Sequence, residues 1–311
     1  MKFNLKTVTA KIEATYGTDP VPTALANVVI VQNLDLNPLV METDEYMPVM
    51  PNFGRGERIV GATWCTVSFD VLMCGGGTPL GTVPNAGVFN RACAMSQVVS
   101  AGTSVSYGLV STGEESCTLY FYWDGVLQKM VGARGTWQLK ATAKKAIVKS
   151  YSFTGLNVPM TDQAMPAPTL PTIPRPVAVN KANTVLTIDG YAVRLSEYTI
   201  DLGNQVQYRN HTNREDVQVM DRAMTGKVTM ELPLVAEKDF LGASGFITQG
   251  VPAPLNIVHG TVAGNRITCN MPKAQFFNPK PRSENGLLML ECDLHIARNA
   301  AGNDEYSEVY T

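Results

Sequence analysis

The chain has 311 residues, long enough for about two domains, with 45% apolar residues, only 17% charged residues and a net charge of −2 from 25 basic and 27 acidic side chains. That balance excludes a strongly basic binder held to nucleic acid by phosphate neutralisation, and the apolar share excludes intrinsic disorder. So low a charge content fits a surface largely covered by partner subunits, because interface cores are depleted in charge.

The opening Met1–Ala14 carries Lys2, Lys6, Lys11 and Glu13 and has no apolar run of the signal-peptide kind. Period-two alternation with β-branched and aromatic residues then predicts strands at Val29–Asn37, Cys65–Met73, Cys117–Trp123, Thr136–Ala141 and Lys149–Gly155. Asn85–Val99 reads as a helix, with Val88, Phe89, Ala92, Cys93 and Met95 on one side. The charge-free stretches Val71–Asn90 and Ala92–Gly113 are broken by Gly, Pro, Ser and Thr, so neither reads as a membrane span. Between Leu156 and Ala182 stand Pro159, Pro166, Pro168, Pro171, Pro174 and Pro176, which predict an extended, stiff linker. The second half predicts strands at Thr184–Ile188, Tyr198–Leu202, Lys227–Leu234, Leu255–Val258, Arg266–Met271 and Leu287–Ile296, with a helix at Ala236–Ile247. The polar, acidic Asn299–Thr311 reads as a loose tail. The expected organisation is a first domain over 1–157, a linker over 158–180 and a second domain over 181–311. The expected class is α+β, mainly β: two tandem antiparallel β-sandwich or barrel-like domains, each with one flanking helix.

The halves repeat one plan. Leu34-Asp35-Leu36 matches Ile200-Asp201-Leu202, and Val67-Ser68-Phe69-Asp70-Val71 matches Val228-Thr229-Met230-Glu231-Leu232, at offsets of 166 and 161 residues. Each match places an acid on the polar face of a strand whose other face is apolar. Between the matched strands lie long connectors, Val40–Ile59 and Gln205–Thr225, far beyond the usual hairpin loop of about 2–5 residues. They read as arms that reach a neighbouring molecule. Met41, Tyr46, Met47, Val49, Met50 and Phe53 make the first arm apolar, and Val217, Val219 and Met220 give the second a smaller apolar element.

Three blocks of the first half carry a resemblance: Glu13-Ala14-Thr15-Tyr16-Gly17-Thr18-Asp19-Pro20-Val21-Pro22-Thr23; Glu115–Gly125 with Gly132-Ala133-Arg134-Gly135; and Ser152-Phe153-Thr154-Gly155-Leu156. With the duplicated plan, they resemble the tail tube proteins of long-tailed bacteriophages, in the duplicated two-domain form. The second half resembles that family only in its order of strand, long connector, strand and helix. The resemblance implies tube domains whose sheets join into a continuous barrel around a channel, with three chains in a pseudo-hexameric ring. It implies a structural virion protein of the tail, assembled in the host cytoplasm. Its implied partners are further copies of itself and other tail proteins such as the tape measure, terminator and distal tail proteins. DNA passes through transiently without specific binding, and no membrane or cofactor is implied.

Side chains suited to chemistry are sparse. His211, His259 and His295 lack zinc-pair spacing, and no HExxH occurs. Gly75-Gly76-Gly77 lacks the Lys-Ser/Thr of a phosphate loop and reads as a turn. Gly242-Ala243-Ser244-Gly245 is not a nucleophile elbow. The run Tyr120-Phe121-Tyr122-Trp123 reads as sheet packing rather than a stacking platform. Cys65, Cys74, Cys93, Cys117, Cys269 and Cys292 have irregular spacings and read as reduced thiols. No catalytic or metal site is expected. The expected functional surfaces are a lumen face with Asp35, Ser68, Asp70, Asp201, Thr229 and Glu231, and contact arms with Met47, Val49, Met50, Phe53, Val217, Val219 and Met220. The competing readings are a two-domain adhesin or carbohydrate-binding virion protein, and a β-sandwich carbohydrate-active enzyme with a carboxylate pair in a cleft.

Overall fold

The computed structural model describes residue 2 and residues 4–311; of the opening segment, Met1 and Phe3 lie outside the described residues. The first half contains β1 (Lys6–Ile12), β2 (Gln32–Tyr46), β3 (Glu57–Leu72), α1 (Gly87–Ala92), β4 (Met95–Ser100), β5 (Ser104–Leu109), β6 (Cys117–Trp123), β7 (Val126–Thr142) and β8 (Val148–Asp162). The second contains β9 (Thr184–Ile188), β10 (Tyr191–Val193), β11 (Leu195–Asp201), β12 (Asn204–His211), β13 (Arg214–Arg222), β14 (Thr225–Glu231), β15 (Ala253–His259), β16 (Ile267–Glu284), β17 (Leu287–Ile296) and β18 (Ser307–Tyr310). All strand pairings are antiparallel.

Each half builds one four-stranded sheet in the same order, β2-β3-β8-β7 and then β11-β14-β17-β16. The two sheets join edge to edge, because β7 pairs with β11 through Gln138↔Asp201 to Thr142↔Glu197. The result is one eight-stranded sheet that runs through both halves. β7 and β16 are the longest strands, at 17 and 18 residues, and their N-terminal portions turn away to pair with β6 and β15. Those portions, with β1 and with β9–β10, form the second layer of each half. Alternation explains the layering: Cys65, Val67, Phe69 and Val71 of β3 point into the core, while Thr66, Ser68 and Asp70 point away. β6 is buried on both faces, with Leu119 and Phe121 in the main core and Tyr120 and Tyr122 packed on Leu127.

The core is continuous across the halves. Phe69, Phe89, Tyr151 and Phe153 cluster at ring separations of 4.7–6.0 Å in the first, and Phe240, Phe246 and Phe276 pack edge to face in the second. The tail expected to be loose is the clasp between them. β18 inserts between β5 of the first half and β16 of the second, and Glu308, fully buried, meets the fully buried Lys149 of β8 at 2.6 Å. Lys149 also donates to Asn90 and lies 4.1 Å over the Trp137 ring, while Tyr306 and Tyr310 donate to Glu308. Removing one member would leave a buried charge unpaired, at a cost of about 3–5 kcal/mol.

Both expected helices need correction. The first is limited to α1, because Ala94 takes a φ of +59° and the β-branched Val98 and Val99 continue as β4. No helix forms over Ala236–Ile247. Gly242 and Gly245 weaken it, and the Asp239 carboxylate accepts from the N–H groups of Gly242 and Ser244, which favours turns. The linker also starts later than expected. β8 runs to Asp162, and Pro159 fits because it sits beside a bulge, where β8 pairs only with β7.

Candidate functional site

The eight-stranded sheet has one face on the core and one face that is polar across its whole width. The register fixes this second face. Asp35 opposes Ser68, Ser68 opposes Ser152, and Ser152 opposes Thr136. Across the junction Gln138 opposes Asp201, Asp201 opposes Thr225, and Thr229 opposes Glu291. Directly opposed residues point to the same side, so Asp35, Ser68, Asp70, Asp201, Thr229 and Glu231 all stand on this one face. Asp70 accepts from Ser150 at 2.5 Å and from Asn33 at 2.7 Å. Glu231 pairs with Arg194 at 2.5 Å. The same face carries acids that the sequence reading did not single out: Glu197, Glu291 and Asp293. Lys140 pairs with Glu197, and Lys227 lies 3.5 Å from Asp293. A hydrogen bond from Asn278, with Lys227 nearby, holds the Asp293 carboxyl below its usual range. The alternation Glu291, Asp293, His295 within β17 was the signal that could have found the last two.

Among the described residues, two edges of this sheet are unpaired. One is β2, which pairs only with β3. The other is the C-terminal portion of β16, from Phe276 to Glu284, which pairs only with β17. Pro279 and Pro281 stand in that portion, and proline without its N–H shortens the ladder such an edge can make.

The two arms differ. The first extends β2 and β3 into a long hairpin closed by Tyr46↔Glu57, and its tip holds Met47, Val49, Met50 and Phe53, all exposed. Val49 and Phe53, at 105% and 110% relative exposure, touch almost nothing of their own chain. The second forms the hairpin β12–β13 and folds onto the first half. Val217 is fully buried there, which removes it from any contact with a neighbour and corrects its expected place, while Met220 stays exposed and Val219 half-buried.

Two of the three residue blocks that carried the resemblance build the seat of this second arm. The buried Glu13 accepts from Ser116 and Thr118 at 2.6 Å, from the Gly132 N–H at 2.7 Å and from the Gly17 N–H at 2.8 Å. It thereby ties the opening, β6 and the bend of β7 together. Gly132 has φ +61°, and a Cβ there would come within 2.8 Å of the Tyr16 ring. The Tyr16 hydroxyl accepts from the Val217 N–H at 2.6 Å, and Arg134 lies over the Tyr16 ring and donates to the Val217 carbonyl. Trp64 stacks on Tyr208 at 5.0 Å, so the second arm also braces the base of the first.

The remaining reactive residue types hold structural positions. His259 is buried beside Thr184, 2.7 Å from its hydroxyl, and burial lowers its pKa. His211 is exposed near the tip of the second arm, and His295 is on the polar face. Gly75 packs against the second half, where a Cβ would come within 1.9 Å of the Gly264 carbonyl. All six cysteines are free and buried, and burial pushes Cys65, Cys269 and Cys292 up to about 12 and Cys74 to about 11, so they stay as thiols. Among the described residues no group of three or more His, Cys, Asp or Glu is placed to hold a metal ion.

The family model for phage tail tube proteins matches residues 4–306, nearly the whole chain. The chain belongs to that family. No curated protein matches the sequence. Phage tail tube proteins are structural, not catalytic, components of the virion tail, and they assemble as copies into a tube with other tail proteins. In this tail tube protein the match covers both halves, including the second, whose sequence blocks are absent.

Proposed function

We propose that this tail tube protein forms rings of three copies, stacked into a tube that carries genome DNA into the host. The supporting observation is the junction between β7 and β11. It joins the last strand of one repeat to the first strand of the next, with the polar faces aligned. The chain ends with the same two partners unmatched: a first strand, β2, and a last strand, β16. Pairing β16 of one copy with β2 of the next repeats the internal junction and is a heterologous contact, which closes into a ring when the rotation fits.

Barrel dimensions support a ring of three copies. Strands spaced about 4.8 Å and tilted about 40° give, for three eight-stranded sheets, a barrel roughly 48 Å across. With side chains reaching about 5 Å inward from each wall, the bore is roughly 38 Å. Two copies would leave only roughly 22 Å, and six would double the three-copy barrel.

The polar face lines this channel, with Asp35, Ser68, Asp70, Asp201, Thr229 and Glu231 toward the lumen. A basic wall would hold DNA through many phosphate contacts and counterion release. An acidic, hydrated wall repels phosphate over a Debye length of about 8 Å at physiological salt and lets DNA slide. The first arm, through Met47, Val49, Met50 and Phe53, supplies contacts between rings. Assembly takes place in the host cytoplasm, and the tape measure, terminator and distal tail proteins are the tube's other partners.

Electron microscopy of the purified protein tests this reading: three chains per ring and stacked rings support it, and a monomer at high concentration overturns it. For the lumen, Asp70→Lys with Glu231→Lys should assemble and slow DNA ejection. Unchanged ejection would refute the role of the face.

A further inference from the structure

The first arm has a counterpart on the opposite end of the same chain. Both arms leave the eight-stranded sheet at the end marked by Tyr46, Glu57, Asp201 and Thr225. At the other end, where β7 finishes at Thr142 and β11 starts at Leu195, lies an open groove of about 610 Å³. Val179, Leu186, Val193 and Leu195 line it, and Lys144 and Lys181 stand beside them. The side chains of Lys144, the adjacent Lys145 and Lys181 are exposed and have no carboxylate partner among the described residues, whereas Arg194, also in the groove, is paired with Glu231. The first arm is the reverse. Glu42, Asp44 and Glu45 are exposed beside the exposed apolar Met41, Tyr46 and Met47; Arg58 stands opposite Glu45 in the register, but none of the three acids forms an ion pair among the described residues.

We infer that this groove is the seat for the first arm of a copy in the adjacent ring. The inference rests on the tube reading, since stacking rings head to tail brings the arm end of one against the groove end of the next. Tyr46 and the methionines then bury on the apolar floor, and the three carboxylates meet the three ammonium groups. Such complementary charge fixes the register and direction of stacking more than it adds affinity. It also predicts that tube length falls as salt rises, because contacts between exposed charges are screened.

A charge exchange tests the contact on the full chain. The groove variant carries Lys144→Glu, Lys145→Glu and Lys181→Glu; the arm variant carries Glu42→Lys, Asp44→Lys and Glu45→Lys. All six positions are exposed, so each variant should keep the circular dichroism spectrum and melting temperature of the parent. Each alone should raise the protein concentration needed for tubes by at least about tenfold, since like charges then face one another. The variant with all six changes should return to within about threefold of the parent, because the pairs are re-formed in reverse. Normal tubes from either single-side variant, or no recovery in the combined one, would overturn the groove as the seat while leaving the tube reading intact. Absence of tubes in the parent protein would overturn the tube reading and this inference together.

Discussion

The two long hairpins occupy the same place in the two repeats and have opposite fates. The second is anchored: Val217 is buried, its backbone is held by Tyr16 and Arg134, and Tyr208 stacks on Trp64. The first has a more apolar tip and yet buries none of Val49, Met50 or Phe53. Apolar surface of this extent, about 25 cal/mol per Å² when covered, is costly to leave in water. The contrast teaches that duplication of a strand plan does not duplicate its surface roles. One arm became part of the subunit's own packing, and the other left its apolar surface exposed.

The largest effect that would break this comparison comes from deleting Glu45–Arg55. The protein should fold with a melting temperature close to the parent's and form no long tubes by electron microscopy. Normal polymerisation would make the first arm dispensable. A smaller effect separates the arms by stability. Val217→Ala should cost about 2 kcal/mol in denaturant unfolding, because two buried methyl groups leave a well-packed site. Val49→Ala in the first arm should stay within about 0.5 kcal/mol in the same measurement. Equal losses at the two positions would erase the distinction.

Finer still is the brace between the arms. A double-mutant cycle with Trp64→Ala and Tyr208→Ala should yield a coupling of about 1 kcal/mol, as stacked aromatic pairs do. Additive losses would mean that the arms stand independently. The smallest effect concerns pH and the Asp19 cluster, where the opening segment meets Tyr120 of β6 and Lys129 of β7. Burial pushes the Asp19 carboxyl up, but hydrogen bonds from Tyr120, the Val21 N–H and Lys129 outweigh it and hold the group below its ordinary value of 3.8. A carboxyl lowered by folding contributes stability that is present above its ordinary value and lost as pH falls through the lowered one. Asp19→Asn should therefore flatten the acid limb of melting temperature against pH below about pH 4.

What could be read beforehand follows from the range of the interactions. β9 and β17 begin and end where alternation placed them, because a strand with one buried face writes its period into the sequence. The side on which Asp35, Asp70, Asp201 and Glu231 stand was legible for the same reason: a period of two leaves no third choice. Long-range partners leave no such mark. The tail Asn299–Thr311 reads as loose because its acids suggest solvent, yet Glu308 is buried by a lysine 159 residues earlier. The β12–β13 hairpin is polar along most of its length, so neither strand shows an apolar stripe, and only the Tyr16 seat reveals why it folds back. The blocks of the first half marked the family, but the task of the first two in holding the second arm became visible only once Glu13 was seen to gather Gly17, Ser116, Thr118 and Gly132.

The central claim is that the β7–β11 junction is repeated between copies as β16–β2. Electron cryomicroscopy of assembled tubes, at a resolution that traces strands, tests it most directly. The account predicts three chains in each ring, β16 of one copy hydrogen-bonded to β2 of the next, and Asp35, Asp70, Asp201 and Glu231 on the inner wall. Rings of six whole chains, or a continuous barrel with these acids on its outer surface, would contradict it.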